Sequence, residues 1–342
     1  MHSEIFWMAV MVLVVVGSAL VGVFNPRDDA GDDSKGPQKM LFVGDIMLGR
    51  YVETLMERSG AYYPFVEIRN FIESYTTVVG NFEGSIPVVH VPTPNGAMRF
   101  SIRAEYVTVL ARVGFTHLFL ANNHAYDYGA TGFSNAREVI AKSGITNAGN
   151  PNILTADEVQ YTQLDGRTVA IIPIHATTGY PSDTVLTDVL TQTAEQSDLQ
   201  IIYIHWGAEY LPVAGIAERA FAHRAIDLGV DAVIGHHPHV VQNIEEYRGA
   251  PIFYSLGNFV FDQYWEDAVR EGLTVALSYA DGEVRYELHP VTSVDRKSVS
   301  RLMNRVERTK FLDALAERSD PELFGAIKKG VITELDPSLA SS

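Results

Sequence analysis

Three histidines crowd the stretch Gly235-His236-His237-Pro238-His239. His237 and His239 are two positions apart. If Pro238 keeps the chain extended, both imidazoles project to one side, because side chains alternate along an extended backbone. Two neutral imidazoles converging from one loop suit a transition metal such as zinc, manganese or iron. On the same geometry His236 points the other way and keeps only a supporting part. The plain alternative is a polar surface loop with no role.

The same grammar recurs along the chain: a short apolar run stops and hands over a ligand-type residue. Residues 40–44 deliver Asp45, residues 76–80 deliver Asn81 and Glu83, and residues 116–121 deliver Asn122, Asn123 and His124. Residues 169–174 end at His175, residues 199–204 at His205 and Trp206, and residues 251–256 at Gly257 and Asn258. Each has a bland reading by itself. An aspartate after a strand is often a helix N-cap, an asparagine caps turns, and a buried histidine bonds to backbone. Their recurrence points to one shared polar site with a metal in it. Trp206 and Tyr210 either wall that site or belong to the core.

Helical spacing appears between the runs, over 104–113, 132–143 and 218–228, with Gly229 as a C-terminal cap. A further helix begins near Arg50. Near-continuous apolar strands alternating with helices predict an α/β domain with doubly covered sheets. In such folds ligands gather beyond the carboxyl ends of the strands. Residues 273–279 and 283–288 flank Asp281-Gly282 and read as a β-hairpin. From 298 to about 330 the chain reads as charged helix, with Leu302, Val306, Phe311, Leu312 and Leu315 on one face.

Composition narrows the chemistry. The 342 residues carry a formal net charge of −16, which argues against nucleic acid as a partner. There is no cysteine, so disulfides, thiolate ligands and a cysteine nucleophile are excluded. Metal ligands are left to His, Asp, Glu and Asn. Residues 5–24 form an uncharged apolar run of bilayer-spanning length. The expected organisation is a tail (1–4), a transmembrane anchor (5–24), an acidic linker (25–38), one domain (39–293) and a helical C-terminal extension (294–342).

Six ordered blocks carry a resemblance: Gly-Asp-Ile-Met-Leu-Gly-Arg50, Gly-Asn-Phe-Glu-Gly84, Ala-Asn-Asn-His124 with Asp127-Tyr-Gly129, His-Trp-Gly207 with Glu209-Tyr210, Gly-His-His-Pro-His239 and Tyr-Ser-Leu-Gly-Asn-Phe259. Over residues 39–262 the chain resembles the CapA family of poly-γ-glutamate capsule biosynthesis proteins, within the calcineurin-like metallophosphoesterase superfamily. The resemblance implies a four-layer α-β-β-α sandwich of the metallo-dependent phosphatase type. It implies one or two divalent ions (manganese, zinc or iron) held by Asp45, Asn123, His205, His237 and His239. His124 would contact phosphate or act as an acid. Two positions depart from the phosphoesterase pattern: Met47 replaces a histidine and Asn81 a bridging aspartate. Glu83 supplies the missing carboxylate if its loop turns inward. Arg50 either pairs with a phosphate or carboxylate oxygen or forms a surface salt bridge.

The function implied is a membrane-anchored protein for synthesis or export of a poly-γ-glutamate-like capsule polymer. If active, it would be a metal-dependent hydrolase. The alternatives are a stand-alone phosphoesterase and a non-catalytic binding subunit. Implied partners are the membrane, other capsule or polyglutamate synthesis subunits, and an anionic polymer or phosphoester. The implied place is the cell membrane, single-pass, with the domain extracytoplasmic.

Overall fold

The computed structural model describes residues 38–335. In chain order the elements are β1 (Met40–Ile46), α1 (Arg50–Ser59), α2 (Arg69–Ile72), β2 (Thr77–Phe82), α3 (Ala104–Val113), β3 (His117–Phe119), α4 (Gly129–Lys142), β4 (Thr146–Ala148), β5 (Gln160–Leu164) and β6 (Arg167–Ala176). Then follow α5 (Asp183–Ala194), β7 (Leu199–Trp206), α6 (Ile216–Asp227), β8 (Ala232–His236), β9 (Ile244–Tyr247), β10 (Ala250–Phe253) and β11 (Asn258–Val260). The chain closes with β12 (Glu271–Ala280), β13 (Glu283–Thr292), β14 (Arg301–Leu302), α7 (Arg305–Arg318), α8 (Phe324–Lys329) and β15 (Val331–Leu335).

Two mixed sheets result. One runs β14-β13-β12-β1-β2-β3-β4, with β11 added to β1 and β15 to β13; the other runs β5-β6-β7-β8-β10-β9. Both have parallel centres, β1 to β4 in the first and β6-β7-β8-β10 in the second.

Strand alternation sorts the apolar side chains into three cores. Leu41, Val43, Val78 and Leu118 turn outward onto Val52 of α1, Leu110 of α3 and Ile140 of α4. Met40, Phe42, Val79 and Phe119 turn inward against Val169, Ile171, Ile201 and Ile234 of the other sheet. The far face of that sheet packs Ala170, Ile172 and Ile202 on Leu186 of α5 and Phe221 of α6. The layers are therefore helix, sheet, sheet, helix, with the central parallel strands covered on both faces as their continuous apolar runs require.

The hairpin stands where expected. Asp281 and Gly282, at φ of 54° and 83°, supply the two positive dihedrals that a type I′ turn needs. The C-terminal end corrects the expectation of a purely helical extension. Asn304 and Glu307 form a capping box that starts α7, but β14 and β15 flank the helices and pair with β13. Phe311, Leu312 and Leu315 join the inter-sheet core. Val306 is 78% exposed, so it does not share their face. No helix among the described residues is long and apolar enough to cross a membrane. The expected anchor at 5–24 lies outside the described residues.

Glu334 on β15 is pushed up to about 9 by burial, with Glu246 and Asp231 adding repulsion. Its Oε1 is buried without a hydrogen-bond partner. A carboxyl raised in the folded state stabilises the fold when protonated, and that contribution drains away as pH rises from its ordinary value toward 9. Glu334→Gln should therefore raise the melting temperature at pH 8 by ~2 °C or more, with the gain shrinking toward pH 5. A pH series of thermal melts reads this directly.

Candidate metal centre

The carboxyl ends of β1, β2, β7 and β8 meet at the seam between the sheets. Local backbone chemistry brings them there. The β1–β2 register shifts between Phe42 and Asp45, a bulge that re-aims the end of β1. A Cβ on Gly44 would overlap the Gly257 carbonyl oxygen, and one on Gly235 would overlap the Tyr254 carbonyl oxygen. The two glycines let the chain crossing from β10 to β11 pass close under the site. Tyr203 donates its hydroxyl to the Val43 carbonyl at 2.6 Å and ties the two sheets together just beneath it.

Asp45 is the hub, and it is fully buried. Asn81 Nδ2 donates to Asp45 Oδ1 at 2.8 Å, and the His237 backbone N–H donates to Oδ2 at 3.2 Å. His236 Nδ1 lies 3.3 Å from Oδ1 and His239 Nδ1 lies 3.4 Å from Oδ2. The strand pairing sets His205 beside His236, with their Nδ1 atoms 2.8 Å apart. Glu83, also fully buried, comes within 3.8 Å of His239 Nε2 and 3.9 Å of His124 Nε2 through Oε1.

Three groups of side chains stand close enough to share an ion: Asp45, His205 and His236; Asp45, Glu83 and His239; Glu209, His237 and His239. The structure thus gathers the expected residues Asp45, Glu83, His205, His237 and His239. Asn123 is exposed, yet its Oδ1 reaches His205 Nε2 at 2.8 Å. His124 stacks on Phe100 at 3.7 Å and turns Nδ1 to Asp127 at 2.9 Å.

Some expectations need correction. His237 and His239 have φ of 102° and 59°, so the loop around Pro238 is not extended. The two rings converge through left-handed backbone instead, with centroids 5.8 Å apart. Such conformations cost on the order of 1–3 kcal/mol each and persist where the surroundings hold them. His236 does not point away. As the last residue of β8 it shares the inter-sheet face of Ile234 and enters the cluster. Arg50 is not a surface pair: its guanidinium is buried, ion-paired with Asp262 and bonded to the Ala97 carbonyl, and its Nε alone is left without an acceptor. Met47 turns into the outer core. Trp206 is core, donating to the Tyr254 carbonyl, and His175 spends both nitrogens on Pro151 and Thr177. Sequence reasoning left Glu209 without a role. Its signal was a carboxylate four residues after His205, in the loop that follows β7 and inside a block already singled out.

The electrostatics fit a cation. Burial raises the Asp45 carboxyl, but hydrogen bonds and charge from His236 and His239 outweigh this and hold it well below its ordinary value. Glu83 is driven well above its ordinary value, by burial first and then by the Asp45 charge. Burial likewise holds His205 and His236 below their ordinary values and brings His237 down to about 3. For these three imidazoles the neutral form is the donor state that a metal requires, while the Glu83 carboxyl gives up its proton to join them. Glu83 Oε1 and His237 Nδ1 are buried without a hydrogen-bond partner. The residues present fit a divalent ion.

A crossing of stabilities should follow. Without metal, Glu83→Gln relieves a buried like-charge contact and should melt ~2 °C or more above the wild type at neutral pH. With saturating manganese or zinc the order should reverse, because the variant loses an anionic ligand. Melts with chelator and with metal measure both.

Residues 39–263 match the family described as "Bacterial capsule synthesis protein PGA_cap". The PGA biosynthesis protein CapA of Bacillus subtilis (strain 168) is 34% identical over 268 residues, spanning 73% of this chain and 70% of that protein. The capsule biosynthesis protein CapA of Bacillus anthracis is 33% identical over 247 residues, spanning 66% of this chain and 60% of that protein. A crystal structure of a hypothetical protein from Thermus thermophilus aligns with a TM-score of 0.45 at 16% identity, covering 78% of this chain and 98% of that one.

Proposed function

Because the chain belongs to the PGA_cap family of bacterial capsule synthesis proteins, we propose that it serves the synthesis or export of a poly-γ-glutamate-like polymer through a divalent-metal centre at its strand ends. The observation that carries the metal reading is the buried Asp45–Glu83 pair among imidazoles, with Glu83 Oε1 and His237 Nδ1 still lacking partners. The phosphatase-type reading of the fold belongs to the same proposal. Its support is two parallel-centred sheets, face to face, with ligand-type residues at their carboxyl ends.

Asp45 would hold an ion with Glu83 and His239 or with His205 and His236, and Glu209 with His237 and His239 forms the third grouping. Manganese, zinc and iron all suit such an N/O donor set. When bound, the metal supplies charge stabilisation at a substrate oxygen and activated water near neutral pH. This chain's own residues do the rest. Asp127 orients His124 through Nδ1, which leaves Nε2 toward Glu83 and the centre. His124 would hand a proton to a leaving oxygen, a role contributing about 10²–10⁴-fold. Phe100, flat against the ring, keeps water from that side. Arg50, fixed by Asp262, lends positive charge that opposes the upward shift of Glu83.

The reading includes a membrane anchor in residues 5–24 and an extracytoplasmic domain, on the strength of that apolar run. Other polymer-synthesis subunits are the proposed partners. A second reading, a binding subunit without turnover, is favoured by Asn81. Its Oδ1 accepts from Asn122, and its Nδ2 faces Asp45, Glu83 and His205. It presents a donor, not a bridging carboxylate.

An Asp45→Ala strain with normal protein level should lose polymer at the cell surface; unchanged polymer would contradict the proposal. A panel of phosphomonoesters and phosphodiesters should show little turnover. Brisk hydrolysis that disappears in His237→Ala would instead favour a stand-alone phosphoesterase.

A further inference from the structure

Next to the centre lies a cavity of about 320 Å³ whose walls take no part in the ligand cluster. Arg50, Tyr51, Asp262, Tyr264, Trp265 and Lys297 form it. It borders the centre on two sides. Trp265 lies 5.3 Å from Tyr210, which stacks on His239 at 6.0 Å. The Arg50 guanidinium lies 4.6 Å over Phe100, the ring that stacks on His124.

Its charges do not balance. Arg50 and Asp262 cancel in their buried pair. That leaves Lys297, which is exposed and pairs with no carboxylate among the described residues, although acidic residues outnumber Lys and Arg by 42 to 26. Its ammonium lies 4.8 Å over the Tyr264 ring and 5.6 Å over Tyr51. The two rings steady the cation and leave it facing the cavity. Arg50 Nε is a second donor, buried without an acceptor in a side chain only 8% exposed. Trp265 is 61% exposed, a large flat apolar surface held at the mouth. An oxyanion in the cavity would pair with Lys297, and an aliphatic stem would lie on the indole.

We infer that this cavity is a subsite for a carboxylate carried on a short aliphatic chain, which seats a neighbouring unit of the substrate beside the metal centre. Naming that unit as part of a γ-linked glutamate chain rests on the proposed function; the carboxylate chemistry rests on the cavity alone. The subsite also meets a difficulty of the overall charge, since a chain of net charge −16 needs a local cation to hold a polyanion.

Of the three tryptophans, Trp265 provides the readout, because Trp206 is fully buried and Trp7 belongs to the apolar run 5–24, so the signal assigned to the subsite is the part that Trp265→Phe removes. The full chain is titrated with glutarate, a γ-linked glutamate oligomer and inorganic phosphate, following tryptophan fluorescence. Glutarate and the oligomer should quench, and Trp265→Phe should abolish the signal. Lys297→Glu should weaken both by about tenfold, whereas Lys297→Arg should stay within about threefold of wild type. Melting temperature and metal content should not move. Equal affinity in Lys297→Glu, quenching that survives Trp265→Phe, or binding of phosphate alone would overturn the inference. Lys297-dependent binding of glutarate without the oligomer would keep the subsite and remove the polymer from the proposed function.

Discussion

Two carboxylates, Asp45 and Glu83, stand fully buried in one cluster where water cannot screen them. Two anions in such a place cannot both stay charged without a cation. Asp45 keeps its charge by leaning on His236 and His239, and Glu83 is left to hold a proton or meet a metal. Much of the surrounding backbone serves that seam. The bulge in β1, the close approaches at Gly44 and Gly235, and the left-handed residues His237 and His239 all bring donors to one point. The sheet-to-sheet bond from Tyr203 to Val43 fixes the distance between the halves that carry them.

The sequence revealed the architecture because its strands are covered on both faces and read as unbroken apolar runs. The ligand-type residues at their ends could be read for the same reason: Asp45, Asn81, His205 and His236 each close a run. What stayed hidden was set by tertiary geometry. The extended reading of His237-Pro238-His239 failed because both histidines adopt positive φ, which no local pattern marks. His236 was undervalued because its side was counted from Pro238 rather than from β8, where Ile234 already faced the other sheet. β5 and β9 are half-buried edge strands with weak alternation, and β15 gains its place only by pairing with β13.

The departures at Met47 and Asn81 acquire a physical meaning in the fold. Met47 packs into the outer core, so that side of Asp45 has no ligand from β1. His236 approaches the same carboxylate from the opposite sheet and fills the role with an imidazole. Asn81 is locked by Asn122 with its amide donor toward the acids, so it brings no further charge to the cluster. Glu83, two residues further along, brings the second buried carboxylate. The cluster is built from both sheets, and the buried Glu83 carboxyl is the group that costs it stability as the pH rises.

The central claim is that this cluster is a resident divalent-metal centre organised by Asp45. Elemental analysis of the protein purified without chelator tests it most directly. Manganese, zinc or iron at one or two equivalents, lost in Asp45→Ala while the fold is kept, is the predicted result. A wild-type protein that is metal-free and takes up none of these ions from added salt would contradict it.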